Sequence, residues 1–467
     1  MPKALIIYTF LMLYIFHVQV MIYTNQAYIK LTCLFYTRTR WEHEMNINNQ
    51  IIRLAQSETG NYGKLHVQVL CALGSRPIDT ANVEIYSRED PNTLLATLST
   101  DISGNIPLLE LPAPPLEYSM VPEENTPYSE YIIVISAPGL KTVIIDSAQI
   151  FPGIVSTQKV SLPTVDTNTH DPKIIIISPN YLSGAFPPKV EEDIIKYEFE
   201  TGEITPIIIP EYVIVHDGIP SDISAENYYV EYRDYIKNVV SSISYPTWPE
   251  EALYSIILSV MSFTLNRMYT NWYINQGYNF NITSSTAFDQ LWVYGRNTYF
   301  NVNIAVDYMF NLFIASPGIS QPLLAQICRG TIADCPDMLS LWGSKIFADT
   351  GYDYLFIIRY YFGDTVYISS SNDIGGVQFP RGQQDLSMGS IGETVSALQN
   401  QLNIVSKVYM AIPLAETDGN FGPATEAAVK AYQTIFNEPI TGVVGPATYY
   451  SLAKLYTRLT RGENLCV

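Results

Sequence analysis

Short apolar segments with partly alternating hydrophobic and polar positions dominate residues 60–162, and this pattern is typical of β-strands. The segments are KLHVQVLCAL, ANVEIYSR, LLATLSTD, YIIVISAPGL and KTVIIDSAQIF, and they are rich in β-branched residues. These segments are separated by short sequences typical of turns, namely GSRP, EDPN, DISGN and APGLK. Several short strands at this spacing predict a small β-sandwich.

Pro, Asn, Asp and Gly are frequent in residues 163–228, as in PTVDTNTHDPK and HDGIPSDISAEN. The apolar pieces KIIIIS and TPIIIPEYVIV predict edge strands that pack on a neighbour. We interpret this stretch as a linker with some order.

A helical pattern replaces the alternating one in residues 229–370. In PEEALYSIILSVMSFTLNRMYTNWYI the apolar positions 253, 256, 257, 260, 261, 265 and 268 fall on one helical face. Pro249 suits a first helical turn, and Glu250 and Glu251 are favourable charges at a helix N-terminus. Further helices are predicted at NVNIAVDYMFNLFIAS and DYLFIIRYYFG.

Short helices are also predicted in residues 389–457, at GSIGETVSALQNQLNIV, ATEAAVKAYQTIFN and GPATYYSLAKLYTRL. Asp418, Gly419 and Gly422 predict a tight turn that starts a helix at residues 423–424. We expect this stretch to be a separate compact unit. The predicted fold is a multidomain α+β chain with an N-terminal β-sandwich, a mainly helical middle domain and a C-terminal three-helix domain.

Residues 1–44 do not follow the pattern of the rest of the chain. ALIIYTFLMLYIFHVQVMIYTNQAYIKLTCLFY is long and mostly apolar, with Lys3 before it and Arg38 after it. One interpretation is a leader or membrane anchor, but polar residues interrupt the stretch and no clear small-residue cleavage site follows it. The other interpretation is that translation starts at Met45. We favour the second, because the regular pattern begins only at Gly60.

Composition narrows the function classes. The 467 residues carry a formal net charge of −19, which argues against a nucleic-acid partner because phosphate binding needs clustered Lys and Arg. The five histidines all lie at or before His216. The second half of the chain therefore has no histidine for a zinc site or a Ser-His-Asp triad. We predict no metal and no other cofactor.

The C-terminal stretch carries GETVSALQNQL, then DGNFGPATEAAVKAYQ, then ITGVVGPATYYSL. This order resembles the peptidoglycan-binding domain found at the ends of many cell-wall hydrolases. The residues expected to form its core are Val395, Leu398, Leu402, Val429 and Tyr432. The resemblance implies contact with peptidoglycan glycan strands, and the candidate residues in the DGNFG turn are Asp418, Gly419, Phe421 and Gly422.

Residues 229–370 contain YRDYIKNVVSS, YPTWPEEAL, STAFDQ, GRN and CPDMLSLWGSKIFADTGYDYLFIIRYYFG. These elements resemble the domain of stage II sporulation protein D and its relatives, and the order of the whole chain is similar to that of a spore cortex-lytic enzyme. Active members resemble lytic transglycosylases, in which one Glu serves as acid and then base. The cleft residues implied by the resemblance are Trp248, Asp289, Gln290, Ser340 and Trp342.

The catalytic Glu of that family lies five residues before the Trp of its WP motif, and counting back from Trp248 gives Ile243. Isoleucine has no proton to transfer. Leu341 is a second departure, because the family tends to show Ser-Gln-Trp-Gly where this chain has SLWG. Two losses of polar groups in one cleft predict an inactive domain.

Asp289, Glu250 and Glu251 are the candidate replacement acids. Glu250 and Glu251 are expected in the first turn of a helix, where the dipole favours the charged form, whereas a general acid needs a raised pKa. Asp289 matches a family element that lines the cleft, but nothing in the sequence places it at the scissile bond. We therefore assign no catalytic residue.

Cys328 and Cys335 match a cysteine pair of the same family, in which some relatives hold a metal with added histidines. This region has no histidine, so a disulfide or two buried thiols are expected. The β-rich region resembles carboxypeptidase regulatory-like modules through DISGN, SAPGL and its strand rhythm.

These observations leave three hypotheses. The first is a non-catalytic peptidoglycan-binding protein of the spore or cell wall, built on the frame of a cortex-lytic enzyme. The second is an active lytic transglycosylase whose acid comes from elsewhere in the cleft. The third is a scaffold that residues 1–40 anchor and whose middle domain binds an unidentified protein. We favour the first.

Overall fold

A computed structural model describes residues 61–71, 76–122, 125–165, 171–190, 206–330, 337–371, 373–375 and 385–460. Residues 1–44, interpreted above as a leader or an incorrect start, and Cys335 lie outside these ranges. The described residues between 61 and 460 cluster as one compact unit. The mixed α+β class predicted from the sequence is confirmed by the sheets and helices.

Two sheets share one hydrophobic core in the N-terminal part. The first contains β1 (Tyr62–Cys71), β4 (Leu109–Pro112), β7 (Val155–Leu162) and β12 (Thr298–Tyr299), in the order β12–β7–β1–β4. The second contains β2 (Asn82–Ser87), β3 (Leu94–Ser99), β5 (Ser129–Ser136), β6 (Val143–Ile150) and β8 (Lys173–Ile176), in the order β3–β2–β5–β6–β8. Alternate residues such as Ile133 and Ile135 are fully buried between the sheets, as a two-layer β structure requires.

The stretch predicted as a linker contributes to these layers and to the middle part of the chain. β8 pairs in parallel with β6. β9 (Tyr212–His216) pairs with β10 (Asn227–Glu231) and with β11 (Ile282–Thr283). The Asn180 side chain donates to the carbonyl oxygens of Ser241 and Ser244 at 3.2 and 3.0 Å. The strands β8 and β9 lie in the two segments predicted to form strands, and the described parts of this stretch contact both neighbouring parts of the chain.

A long helix, α2 (Glu250–Tyr269), forms the centre of the middle part. The helices that contact it are α1 (Tyr232–Ile243), α3 (Phe300–Met309), α4 (Leu341–Asp349) and α5 (Tyr354–Phe362). Two short strand pairs complete the region, β13 (Leu312–Ala315) with β16 (Tyr367–Ser370) and β14 (Ile327–Cys328) with β15 (Leu339–Ser340). Single turns of 3-10 helix lie at Leu116–Ser119 and Ile274–Gln276.

The helix α2 is buried on all sides from residue 252 to residue 267, although the sequence pattern predicts only one apolar face. Its polar residues are accommodated because Ser255, Ser259 and Thr264 each donate at 2.8 Å to a carbonyl oxygen three or four residues earlier in the helix. A buried hydroxyl with a partner inside its own helix does not need solvent.

A set of buried hydrogen bonds joins the N-terminal sheets to the middle part. The Asn297 side chain accepts from the Gln149 backbone N–H at 3.1 Å and donates to the Gln149 carbonyl oxygen at 2.7 Å. Arg296 donates to the Gln149 side-chain oxygen at 2.8 Å and to the Ser178 carbonyl oxygen. Because these groups are buried, separating the two parts would leave polar atoms without partners.

The C-terminal part consists of α6 (Glu393–Ser406), α7 (Pro423–Ile435) and α8 (Pro446–Thr460) around a core of its own. The five core residues predicted from the sequence are all buried, namely Val395, Leu398, Leu402, Val429 and Tyr432. Among all described helices of the chain, none combines the length and apolar character needed to cross a membrane.

Candidate functional site

A small pocket opens beside the C-terminal end of α1 and the middle of α2. Its volume is about 30 Å³, which is enough for at least one water molecule. The apolar part of its wall consists of Ile243, Phe263, Leu291, Ala325 and Ile327. The position expected to hold a catalytic acid is therefore part of a pocket wall, but the group that it contributes is a hydrocarbon.

The polar part of the wall includes Tyr181, Lys189, Thr286, Asp289 and Gln290. Burial raises the pKa of the Tyr181 hydroxyl, so this group stays neutral at physiological pH. The Lys189 ammonium donates to the backbone carbonyl oxygen of Asp289 at 2.6 Å. Lys189 was not predicted from the sequence, because no motif marks a single lysine in a Pro-rich stretch.

The Asp289 carboxylate lines the pocket, yet both of its oxygens are engaged in the protein interior. One accepts from Arg267 Nε at 2.7 Å, and this ion pair is almost completely buried. The other accepts from the Tyr273 hydroxyl at 2.6 Å and from the Thr283 N–H and hydroxyl at 2.9 and 2.8 Å. These partners engage both oxygens and fix the position of the carboxylate.

Gln290 is held in the same way. Its side-chain oxygen accepts from the hydroxyls of Tyr235 and Thr264 at 3.0 and 3.1 Å, and its amide nitrogen donates to the Val260 carbonyl oxygen at 3.2 Å. The side chain thus connects α1, α2 and the loop that carries Asp289. Both residues of the DQ pair contribute to the shape of the pocket through these internal bonds.

Trp248 and Trp342 pack against each other with ring centroids 4.9 Å apart, and both are buried. Trp248 Nε1 donates to the Ser119 carbonyl oxygen at 2.9 Å, which attaches the WP turn to the N-terminal part. Ser340 caps α4 by accepting from Gly343 N at 2.9 Å. None of these candidate residues lines the pocket, and each has a structural contact that accounts for its residue type.

Glu250 and Glu251 begin α2, as predicted, but their environments differ. Burial, together with the neighbouring Glu251, raises the pKa of Glu250, which is opposite to the direction expected from the helix dipole. Glu251 accepts from Tyr354 N at 2.7 Å and so joins α2 to the start of α5. Neither residue is in the wall of the pocket.

The C-terminal part contains the same loop twice, and a glutamine holds each copy. Gln399 donates to Asp418 Oδ1, the Asn420 carbonyl oxygen and Thr425 Oγ1 at 2.9–3.0 Å, and it accepts from Gly419 N at 2.9 Å. We call residues 418–425, DGNFGPAT, the first loop.

The second loop is residues 441–448, TGVVGPAT. Gln433 donates to Thr441 Oγ1, the Val443 carbonyl oxygen and Thr448 Oγ1, and it accepts from Gly442 N at 2.9 Å. Gly419 and Gly442 have φ values of +75° and +72°, a conformation that favours glycine. The repeated GPAT is visible in the sequence, but the two glutamines were not identified as its partners because they lie in separate helices.

The candidate residues of the first loop divide into buried and exposed groups. Phe421 is buried in the core and Gly419 is also buried, so neither residue is accessible to a ligand. Asp418 is exposed, and hydrogen bonds from Asn420 and Gln399 lower the pKa of its carboxyl group. Gly422 precedes the first residue of α7.

The second loop and α8 dock on the rest of the protein. Arg233 donates to the Ala447 carbonyl oxygen at 3.3 Å and forms an ion pair with Asp307 at 2.9 Å. Arg458 contacts Glu231 at 2.6 Å, and Lys454 lies 3.3 Å from the same carboxylate. These contacts join the C-terminal part to α1, α3 and β10.

The turn between α7 and α8 adds neutral contacts to this interface. Asn437 donates to Thr157 Oγ1 at 2.9 Å, and Gln68 donates to the Ile435 carbonyl oxygen at 3.1 Å. Glu438 is buried here, and burial raises the pKa of its carboxyl group while Arg233 opposes the shift. The second loop is partly covered at Ala447, whereas Asp418, Asn420 and Ala424 of the first loop are exposed.

Cys328 is disulfide-bonded, but its predicted pairing with Cys335 involves a residue outside the described ranges. Within the part of the chain that the structure describes, no group of three or more His, Cys, Asp and Glu side chains is arranged to hold a metal ion.

Residues 391–452 match a family described as "Putative peptidoglycan binding domain". The zinc D-Ala-D-Ala carboxypeptidase of Streptomyces albus G is 40% identical to this chain over 70 residues, which are 15% of this chain and 26% of that enzyme. This chain thus spans about a quarter of the length of the curated relative that it matches. The predicted C-terminal peptidoglycan-binding domain is confirmed.

Similarities to solved structures are weak. The Bacillus anthracis TIE protein has a TM-score of 0.16 and 16% identity, covering 22% of this chain and 18% of that one. The minor pilin GBS52 of Streptococcus agalactiae has a TM-score of 0.17 and 15% identity, covering 24% and 48%. The 3-chlorocatechol 1,2-dioxygenase of Rhodococcus opacus 1CP has a TM-score of 0.16 and 12% identity, covering 23% and 62%. Scores this low carry no inference about function.

The ion pair in the pocket wall predicts a large loss of stability on substitution. We expect Asp289→Ala to lower the free energy of unfolding by about 3–5 kcal/mol, because Arg267 would remain as a buried charge without its carboxylate. Urea unfolding followed by far-UV circular dichroism measures this loss. The exposed Asp364 is the control, and Asp364→Ala should change the stability by less than about 0.5 kcal/mol. Equal effects of the two substitutions would contradict the structural role of Asp289.

The raised pKa of Glu250 predicts how stability depends on pH. Below about pH 4.3, the ordinary pKa of a glutamate, the residue is protonated in both the folded and the unfolded state. As the pH rises through the raised folded-state pKa, the native state must ionise Glu250 at a cost and loses stability. The melting temperature of Glu250→Gln should therefore exceed that of the wild type increasingly from pH 4 to pH 8. The exposed control Glu416→Gln should not diverge in this way, and parallel profiles of Glu250→Gln and wild type would refute the prediction.

Proposed function

We propose that this protein binds peptidoglycan through its C-terminal domain and acts at the bacterial cell wall, with the spore cortex as the specific target. The family match of residues 391–452 carries the wall-binding part of the proposal. The net charge of −19 is in keeping with a partner other than nucleic acid. We propose the spore cortex as the target because the middle part resembles the domain of stage II sporulation protein D and its relatives.

The first loop is the surface that we expect to contact peptidoglycan. Both loops have equivalent internal hydrogen bonds, but docking partly covers Ala447 of the second loop and leaves Ala424 of the first loop exposed. Ala424 and Ala447 occupy equivalent positions in GPAT, and Ala424 is exposed while Ala447 is partly covered. A glycan strand can therefore approach Ala424 without displacing any part of the protein.

This equivalence provides a matched pair of variants. We expect Ala424→Trp to weaken co-sedimentation with purified sacculi at least about tenfold, equivalent to about 1.4 kcal/mol, because the indole would occupy the contact surface. Ala447→Trp should leave binding within about twofold, because its disturbance falls on the docking interface. Sedimentation at a series of sacculus concentrations measures both. Wild-type binding by Ala424→Trp, or an equal loss in Ala447→Trp, would place the contact elsewhere.

We further propose that the middle part is a lytic transglycosylase-like domain that has lost its activity. Ile243 in the pocket wall supplies no proton, and the oxygens of Asp289 are engaged with Arg267, Tyr273 and Thr283. Losing a catalytic proton need not abolish binding, because substrate affinity and transition-state stabilisation are separable. The middle part would then hold glycan without cutting it.

An active lytic transglycosylase is the alternative, and one observation favours it. The pKa of Glu250 is raised, as a general acid requires. Against it, Glu250 is not part of the pocket wall. A rearrangement around α2 would be needed to bring this carboxyl group to a glycosidic bond in the pocket.

A single assay distinguishes an inactive, glycan-binding middle part from an active lytic transglycosylase. We expect the wild type to release no anhydro-muropeptides from purified spore cortex above a heat-denatured control, as measured by mass spectrometry. Ile243→Glu should release them, because burial in the apolar wall would raise the pKa of the new carboxyl group. Leu291→Glu, which introduces a carboxyl group elsewhere in the same wall, is the control and should remain inactive.

Release of anhydro-muropeptides by the wild type would contradict the proposed loss of activity and show an active enzyme. Their disappearance in Glu250→Gln would then identify the acid, and their persistence would exclude Glu250.

A further inference from the structure

The two loops of the C-terminal domain differ in chemistry, although their internal hydrogen bonds are equivalent. Thr441 of the second loop occupies the position of Asp418 in the first loop. Gln433 donates to Thr441 Oγ1 at 3.3 Å. Gln399 donates to Asp418 Oδ1 at 3.0 Å in the same way. The loop geometry therefore does not require a carboxylate, and the charge of Asp418 is available for another role.

The Asp418 carboxylate is held in place with one acceptor position open. Its Oδ1 accepts from Gln399 Nε2 at 3.0 Å and from Asn420 N at 2.8 Å, and its Oδ2 accepts from Asn420 Nδ2 at 3.1 Å. A carboxylate has about four lone-pair sites, two on each oxygen. Within the described residues Oδ2 has a single donor, and Asp418 is exposed. Hydrogen bonds from Asn420 and Gln399 lower the pKa of the Asp418 carboxyl group, so the group is ionised at neutral pH.

An apolar surface lies directly beside this carboxylate. Ile391 and Asn420 face each other in an antiparallel β-bridge, so their side chains lie on the same side of the pair. Ile391 is 78% exposed, and Met388, three residues earlier, is half exposed. Because Asn420 also contacts Asp418, hydrocarbon and carboxylate are neighbours on one exposed face. Such a face fits an aliphatic chain that ends in an ammonium group.

The two halves of the C-terminal domain also differ in charge. Residues 385–426, which include the first loop, contain one lysine, Lys407, and five carboxylates, namely Asp385, Glu393, Glu416, Asp418 and Glu426. Residues 427–460, which include the second loop, contain three cationic side chains and one carboxylate. A cationic ligand is therefore the electrostatic complement of the half that carries the exposed loop.

We propose that the first loop binds the side-chain ammonium group of the diamino acid in peptidoglycan stem peptides, with Asp418 as the acceptor and Ile391 in contact with the methylene chain. The proposal rests on the proposed function and names the part of peptidoglycan that the first loop recognises. Deacetylated glucosamine also carries an ammonium group, but that group is attached directly to a sugar ring. It therefore offers no methylene chain to Ile391.

Co-sedimentation of the full chain with chemically modified sacculi tests the role of the charge. Hydrofluoric acid first removes teichoic acids and their alanyl esters. Acetic anhydride then acetylates the remaining amino groups, and the loss of their charge should weaken binding about fivefold, as expected for one exposed ion pair. Reductive dimethylation, which retains the positive charge and one N–H, is the control and should leave binding within about 1.5-fold of untreated sacculi.

Exchanging the loop residues tests the acceptor. Asp418→Thr introduces the residue of the second loop, and it should bind untreated and acetylated sacculi equally and about fivefold more weakly than the wild type binds untreated sacculi. Asp418→Asn is the second variant should Asp418→Thr fold poorly. Asp364→Thr, at an exposed carboxylate of the middle part, is the matched control and should behave as the wild type. Melting temperatures verify that each variant is folded.

Soluble competitors distinguish the sources of the ammonium group. L-alanyl-γ-D-glutamyl-L-lysine should displace the wild type from sacculi, and its Nε-acetyl derivative should not. The same peptide with 2,3-diaminopropionate in place of lysine has one side-chain methylene and should compete more weakly, because it cannot contact Ile391 and Asp418 together. A trimer of glucosamine should also compete more weakly than the lysine peptide.

The two proposals fail in different ways. Absence of sedimentation of the wild type with untreated sacculi would refute the proposed function. Normal sedimentation that acetylation leaves unchanged, or wild-type behaviour of both Asp418 variants, would overturn the ammonium site alone. Stronger competition by the glucosamine trimer would assign the ammonium group to the glycan and overturn the proposed ligand. Equal competition by the lysine and diaminopropionate peptides would contradict the contact with Ile391.

Discussion

The buried ion pair between Arg267 and Asp289 is the constraint on which the middle part of this protein depends. Both side chains are almost completely inaccessible to solvent, and breaking such a pair leaves a charge where water cannot reach it. Tyr273 and Thr283 complete the hydrogen bonding of the carboxylate. The positions of the α2 helix and the 283–290 loop are thereby fixed relative to each other. Because both contribute residues to the pocket wall, the shape of the pocket is fixed as well.

A second set of buried polar contacts joins parts of the chain that the sequence pattern separates. Asn297 pairs with the backbone of Gln149, and β12 extends the sheet that begins with β1. The C-terminal domain is attached through Arg233, Arg458 and Glu231. The described residues between 61 and 460 therefore belong to one compact unit.

The two loops of the C-terminal domain have one local structure in two different surroundings. Gln399 and Gln433 make equivalent hydrogen bonds to loops with the same GPAT ending. The copies also differ in what surrounds them, since Arg233 contacts Ala447 whereas Ala424 is exposed. Under our proposal, the docked copy orients the domain and the exposed copy faces the wall.

The sequence by itself determined the features that depend on short-range chemistry. Apolar spacing located α2 and the helices of the C-terminal domain, and glycine and proline located the first loop. Only the tertiary structure decided which strands β8 and β9 pair with, that Asp289 is bound to Arg267, that burial raises the pKa of Glu250 and that Ala447 of the second loop is partly covered. The physical reason is that periodicity and turn chemistry act over a few residues, whereas burial and hydrogen-bond partners are set by groups far apart in the chain, as in the contact of Gln149 with Asn297.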